Sequence, residues 1–232
     1  MALLTRLFAA TSAACGSPAV TEDTQARARE RMVAEQIEAR GIHDPLTLAA
    51  MRSVPRHAFV PSPLAADAYA DSPLAIGHGQ TISQPYVVAF MTEALRLSGG
   101  ETVLEVGTGS GYQSAVLARI AAKVYSVEIV EPLAAEARER LARLGYGNVS
   151  VRAGDGYAGW PEAAPFDAIV VTAAAPRVPE PLEDQLKEGG RLVIPVGDAL
   201  QEIVVVSRHG HEFSETRVLP VRFVPMTGRI RR

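Results

Sequence analysis

Cysteine is all but missing. The chain of 232 residues carries one, Cys15, which excludes an intramolecular disulfide and any zinc site built on paired thiolates. Charge of one sign is missing too. Lysine and arginine number 23 against 26 aspartates and glutamates, a net of −3, so the balance gives no case for nucleic acid as a partner. No apolar run reaches the roughly 18 residues that span a bilayer, and no membrane partner is expected. Histidine is scarce, at five. His209 and His211 flank Gly210 with no third ligand nearby and read as a polar turn, so no metal site is expected. No internal repeat and no linker divides the chain. What is there is an ordinary globular composition, 47% hydrophobic and 21% charged, with enough length for one large α/β domain.

Residues 1–21 differ from the rest. Met1 to Ala14 holds one charge, Arg6, among small and apolar residues, and Ser12-Ala13-Ala14-Cys15 hints at a lipoprotein cleavage site. The apolar part is short and broken by Thr11 and Ser12. The segment is therefore taken as a disordered leader, or the product of an upstream start codon, and the protein as cytoplasmic. Export or lipid anchoring through the leader is the alternative. The domain then spans 22–232.

The stretch Val103-Leu104-Glu105-Val106-Gly107-Thr108-Gly109-Ser110-Gly111-Tyr112 organises the rest of the chain. It reads as a buried strand, a glycine-rich turn and the start of a helix carrying Ala115, Val116, Leu117 and Ala118. Glycines at alternate positions let the backbone turn sharply and a ligand come close, and the helix start aims unpaired N–H groups at the same place. Glu128 closes the next apolar run, 17 residues after Gly111, near the spacing at which an acidic residue after a second strand meets a ribose. A dinucleotide fingerprint needs G-x-G-x-x-G. Here Tyr112 stands where its last glycine would fall, so NAD is not expected. A chance glycine turn is the plain alternative.

Around this centre the pattern alternates helix and strand. A helix is expected over Glu22 to Arg40, with Met32, Val33, Gln36 and Ile37 inward and Gly41 as its C-cap. A second starts at Asp44-Pro45, with Leu46, Leu48, Ala49 and Met51 as its apolar face. Val54 to Pro61 is too proline-rich for regular structure, and Tyr69 to Ile76 is extended and irregular. Gly77 to Tyr86 is a polar loop before an apolar helix, Val87 to Leu95. It reads equally as an anion-binding loop and as a plain helix start capped by Ser83. Helix 113–121, strand 123–127, helix 131–144 and strand 149–152 come next. Gly154-Asp155-Gly156 then offers either an acceptor for an adenine amino group or a tight turn. Strand 166–172, a helix Pro179 to Lys187 ended by Gly189-Gly190, strand 191–196, and an antiparallel pair at 202–208 and 215–224 complete the chain.

Two resemblances attach to these residues. Glu105-Val106-Gly107-Thr108-Gly109-Ser110-Gly111-Tyr112 resembles the first motif of Rossmann-like, S-adenosylmethionine-dependent methyltransferases. Together with Met32-Val33-Ala34-Glu35-Gln36, His78-Gly79-Gln80-Thr81-Ile82-Ser83-Gln84-Pro85, Gly154-Asp155-Gly156 and Phe223-Val224-Pro225-Met226-Thr227, it resembles the protein-L-isoaspartate O-methyltransferases along most of residues 30 to 228. The Thr81-Ile82-Ser83-Gln84-Pro85 loop is the specific part. Tyr86, Val87 and Val88 stand where the animal enzymes carry histidines, as in bacterial members.

The resemblance implies a doubly wound α/β fold, its mostly parallel seven-stranded sheet covered by helices on both faces, with the last strands ordered unlike other methyltransferases. It implies methyl transfer from S-adenosyl-L-methionine to the free α-carboxylate of L-isoaspartyl residues in damaged proteins and peptides, leaving S-adenosyl-L-homocysteine. The ester closes to a succinimide that hydrolyses partly to aspartate. Ser83 is the implied active-site residue, orienting the carboxylate. Glu105, Gly107, Thr108, Gly109 and Gly111 would hold the methionine part, Glu128 the ribose, and Asp155 and Gly156 the adenine. Thr81 and Ile82 would lie beside the cofactor, and Thr227 would close over it. A monomer is expected. The alternatives are a methyltransferase for a small-molecule carboxylate and a catalytically idle cofactor-binding module.

Overall fold

The computed structural model describes residues 22–231; the expected leader, residues 1–21, lies outside the described residues. Helix α1 (Glu22–Arg31) runs into a π-helical segment, Met32–Ile37, and a 3₁₀ turn, Glu38–Arg40, ending at Gly41 in the left-handed region (φ 93°). The helical stretch and its cap are as expected, but its winding is not uniform. Met32 and Ile37 are both fully buried. An α-helix would set residues five apart roughly 140° from each other, and the wider π winding lets both face the core.

Helix α2 (Pro45–Ser53) starts as expected, with the Asp44 carboxylate accepting from the Thr47 N–H at 2.7 Å. Its apolar face is not the expected one. Thr47, Leu48, Ala50 and Met51 are buried, whereas Leu46 and Ala49 lie outside. The proline-rich strap after it holds a 3₁₀ turn, Arg56–Phe59, where no regular structure was expected, and a second, Ser62–Asp67, follows. Strands β1 (Leu74–Gly77) and β2 (Gln80–Ile82) then pair as an antiparallel hairpin. Its two turn residues, His78 and Gly79, have φ of 51° and 70°, as the twist of a two-residue hairpin demands. So the expected polar loop is half hairpin. Helix α3 (Pro85–Ala94) comes directly after it.

The main sheet is laid down by β3 (Thr102–Val106), α4 (Tyr112–Ala118), β4 (Lys123–Glu128), α5 (Glu131–Arg143), β5 (Val149–Ala153), β6 (Phe166–Val171), α6 (Glu180–Asp184), β7 (Leu186–Val196), β8 (Gln201–His209) and β9 (Glu212–Val221). Strand order is β5-β4-β3-β6-β7-β8-β9. The pairs from β5 to β7 are parallel, and β8 and β9 return antiparallel. This is the seven-stranded, mostly parallel sheet expected, with its last three strands in simple succession.

Central strands are apolar on both faces because both are covered. Val103, Val124, Ala168 and Val170 pack into one core, and Leu104, Val106, Ile169 and Val171 into the other. Alternate residues thus serve opposite layers. The helix expected over 179–187 shrinks to α6, and Gly189-Gly190 falls inside β7 rather than ending a helix. A Cβ on Gly190 would lie 2.9 Å from the Asp167 carbonyl oxygen. The glycine is there for a close approach at the bulge between β6 and β7. From β3 the chain runs outward to β4 and β5 on one side and then crosses to β6 on the other, and the crevice at the carboxyl ends of the strands where this reversal falls is where such sheets bind ligands. Among the described residues no helix is long and apolar enough to cross a membrane.

Candidate active site

The glycine loop comes straight after β3. At Gly107 φ is 99°, and a Cβ there would sit 2.4 Å from Thr172 Oγ1. Only glycine fits, because that hydroxyl donates to the Gly107 carbonyl at 2.6 Å and ties the loop to the end of β6. Gly111, also left-handed at φ 86°, precedes α4 and meets Leu141. Glu128, at the end of β4, accepts from the Gly109 N–H through one oxygen at 2.8 Å and from the Val130 N–H through the other at 2.9 Å. Each oxygen keeps a lone pair, and the carboxylate lines the crevice. The expected acidic partner of the first turn is therefore in place, and it also braces the turn.

Glu105 is elsewhere. It is wholly buried beneath the loop, where Ser114 and Ser126 donate to one oxygen. Its other oxygen, Oε1, has no partner. The Thr108 and Ser126 hydroxyls lie 2.6 Å apart. With Ser126 donating to Glu105, Thr108 must donate to Ser126, so a chain of hydroxyls links the loop to the buried acid. Burial, opposed by the serine bonds and reinforced by the Glu128 charge, pushes the Glu105 carboxyl up to about 8.

The crevice has two arms. Thr81, Ile82, Thr108, Gly109 and Glu128 line the one over the glycine loop. It continues past Gly107 and Ala173 to Gly156, Met226 and Thr227. Here too a side chain is barred, since a Cβ on Gly156 would lie 2.3 Å from Val106 Cγ1. The other arm, of about 280 Å³, runs between Arg40, Ser83 and Tyr86 on one side and the extended segment Leu219 to Val224 on the other. Thr81, Ser83, Thr172 and Val224 belong to both arms.

Ser83 does not cap α3. The N-cap is Gln84, which makes no side-chain cap bond. Among the described residues nothing hydrogen-bonds the half-buried Ser83 hydroxyl. Asp155 stands next to Gly156, and its two oxygens accept from the Tyr157 N–H at 3.0 Å and the Arg229 N–H at 2.8 Å. It holds the C-terminal segment that carries Thr227. Thr172 and Ala173 are site residues that the motifs missed, and Val224 lies in the C-terminal motif without having been singled out. Thr172 ends a central parallel strand beside the point where strand order reverses, a signal the sequence did offer. Val224 arrives from the far edge of the sheet, three residues before the expected Thr227.

Arg40 and Arg222 bring positive charge to the second arm. The Arg40 guanidinium lies 3.6 Å over the Tyr86 ring and 2.9 Å from the Asp71 carboxylate. Arg222 has no acidic partner among the described residues. No histidine lines either arm, and His78 sits exposed in the hairpin turn. No group of three potential metal ligands occurs among the described residues.

A parallel sheet with a glycine loop at its switch point, an acidic residue after the second strand and a second arm meeting the first defines a Rossmann-like methyltransferase. Comparison with known proteins narrows this. The family model for protein-L-isoaspartate(D-aspartate) O-methyltransferase matches residues 27–231, and the chain belongs to that family. A protein-L-isoaspartate O-methyltransferase of Opitutus terrae is 58% identical over 212 residues, covering 90% of this chain and 91% of the relative. A solved protein-L-isoaspartate O-methyltransferase superposes with a TM-score of 0.79 at 32% identity, over 87% of this chain and 67% of the other. A Plasmodium falciparum protein assigned to the same family, solved in complex with S-adenosyl-L-homocysteine, gives 0.75 at 27% identity over 86% and 98%.

Proposed function

We infer that this protein transfers a methyl group from S-adenosyl-L-methionine to the free α-carboxylate of L-isoaspartyl residues in damaged proteins and peptides, the step that starts their repair. The observation that carries this is the meeting of the two arms at Ser83 and Thr81. The first arm fits the cofactor: its walls at Gly107 and Gly156 admit no side chain, and Glu128 keeps lone pairs for ribose hydroxyls. Thr81, Ile82, Gly107, Thr108, Gly109, Gly156 and Thr227 would hold the rest, with Gly111 shaping the turn. Asp155 would fix the C-terminal wall and, with the lone pair each oxygen keeps, help Gly156 hold the adenine. Glu105 would act from beneath, through Ser126 and Thr108. When bound, the cofactor supplies a methyl group on positively charged sulfur.

The residues of this chain then have little proton work to do. The acceptor is a carboxylate, ionised at neutral pH, so no base is required, and the crevice offers no histidine. The free Ser83 hydroxyl donates to the carboxylate and aims one oxygen down the line towards the first arm. Arg222 and Arg40 raise the local concentration of an anionic group. Nothing in this arrangement calls for a second chain or a membrane, and the protein is taken to act as a cytoplasmic monomer.

The test is methyl transfer to an isoaspartyl peptide, its aspartyl twin and free small carboxylic acids. Transfer to the isoaspartyl peptide alone is expected. Equal transfer to small acids would favour a small-molecule methyltransferase, and no transfer at all an idle cofactor-binding module.

A further inference from the structure

The end of the strap between α2 and β1, Ala68 to Ser72, belongs to no helix or strand. Its backbone carbonyls accept from side chains instead. Arg56 donates to Ala68 from Nε at 2.7 Å and to Ser72 from Nη2 at 3.4 Å. Gln36 donates to Tyr69 from Nε2 at 3.0 Å, and Gln84 to Asp71 from Nε2 at 3.3 Å. The chain enters β1 at Leu74, and the hairpin ends at Ile82, next to Ser83.

Arg56 is wholly buried. Among the described residues no carboxylate pairs with it, and its Nη1 has no hydrogen-bond partner. Its guanidinium lies 4.9 Å from the centroid of the Tyr112 ring. Tyr112 opens α4 straight after the glycine loop and lines the first arm. One side chain therefore reaches from the cofactor loop to the strap that leads to Ser83. A buried charge without a counter-ion is unfavourable, and an apolar side chain of similar volume would pack there without that cost. What an apolar side chain lacks is a planar fork that can donate to two carbonyls at once. Gln36 shows the same trade on a smaller scale. It is half-buried, and its Oε1 has no partner although its Nε2 holds the strap. It also closes the Met32 to Gln36 motif, to which neither arm gives a role.

We propose that Arg56 and Gln36 are positioning residues for methyl transfer: by holding the carbonyls of the strap they set where the hairpin places Ser83 above the glycine loop. This rests on the isoaspartyl reading above, with Ser83 as the group that orients the carboxylate. Both residues act through Ser83 and touch neither substrate nor cofactor.

The test is a double-mutant cycle on the full-length protein. Single-turnover methyl transfer to an isoaspartyl peptide is measured in the wild type, Ser83→Ala, Arg56→Lys and the double variant. Each rate is divided by the number of S-adenosyl-L-homocysteine sites counted by calorimetry, so unfolded protein does not enter. Arg56→Lys keeps the charge and loses the fork. Its rate should fall about tenfold, and adding Ser83→Ala should then cost at least about threefold less than in the wild type, since a displaced hydroxyl has less to lose. Gln36→Ala should behave alike on a smaller scale, and it decides the matter if Arg56→Lys binds no S-adenosyl-L-homocysteine. A Ser83 penalty of wild-type size in these variants would overturn the inference alone and leave both side chains a role in stability only. A wild type that does not methylate the peptide, or full activity in Ser83→Ala, would overturn the reading on which the inference rests.

Discussion

At the scale of single residues, the site depends on what Glu128 and Gly107 do at once. Glu128 braces Gly109 and Val130 while offering lone pairs to the crevice. Glu128→Ala should therefore weaken binding of S-adenosyl-L-homocysteine by about 1–3 kcal/mol, read by calorimetry; unchanged affinity would take Glu128 out of the site. Gly107→Ala combines a left-handed φ with a Cβ driven into Thr172. It should cost about 1–3 kcal/mol of stability in urea unfolding and weaken the same ligand, since the loop must move. Glu105 carries a pH signature. Its folded carboxyl, raised to about 8, holds a proton that the unfolded chain loses near its ordinary value. Its contribution is complete below that value and is lost as pH rises towards about 8, at up to about 1.4 kcal/mol per pH unit. Unfolding at pH 5, 6, 7 and 8 should show this decline in the wild type and a flatter profile in Glu105→Gln. Parallel profiles would mean that the buried acid is ionised throughout.

At the scale of elements, the β1–β2 hairpin and the β6–β7 contact serve different ends. The hairpin delivers Thr81 and Ser83 to the junction of the arms, and its turn is set by His78 and Gly79. The contact between Gly190 and Asp167 lies at the other end of the sheet and touches no site residue. Gly190→Ala should thus destabilise the protein by about 1–3 kcal/mol with affinity for S-adenosyl-L-homocysteine unchanged, checked by pairing urea unfolding with calorimetry. A fall in affinity as large as that in Glu128→Ala would show that the sheet transmits the distortion to the crevice.

At the scale of the whole molecule, the strand and helix order was legible because β3, β4 and β6 are short runs rich in apolar residues and α5 is amphipathic. The glycine loop and Glu128 were legible because their chemistry depends on local spacing. Three features were not. The π winding at Met32–Ile37 arises from which residues the core accepts, not from propensity. Gly189-Gly190 looked like a helix end because close approach of another strand leaves no mark in sequence. Asp155 carries a contact that no local spacing announces, since the Arg229 N–H it accepts from lies at the far end of the chain. Thr172 and Val224 join Ser83 only once the sheet is assembled.

The central claim is that Ser83 positions an already ionised carboxylate where the two arms meet, without a base. Single-turnover methyl transfer to an isoaspartyl peptide, across about pH 6 to 8, measures it directly in the wild type and in Ser83→Ala. The wild-type rate should be flat, because the carboxylate is ionised throughout. Ser83→Ala should be slower by on the order of ten- to a thousandfold, with cofactor affinity nearly unchanged and the profile still flat. Full activity in Ser83→Ala, or a wild-type rate rising tenfold per pH unit, would contradict it.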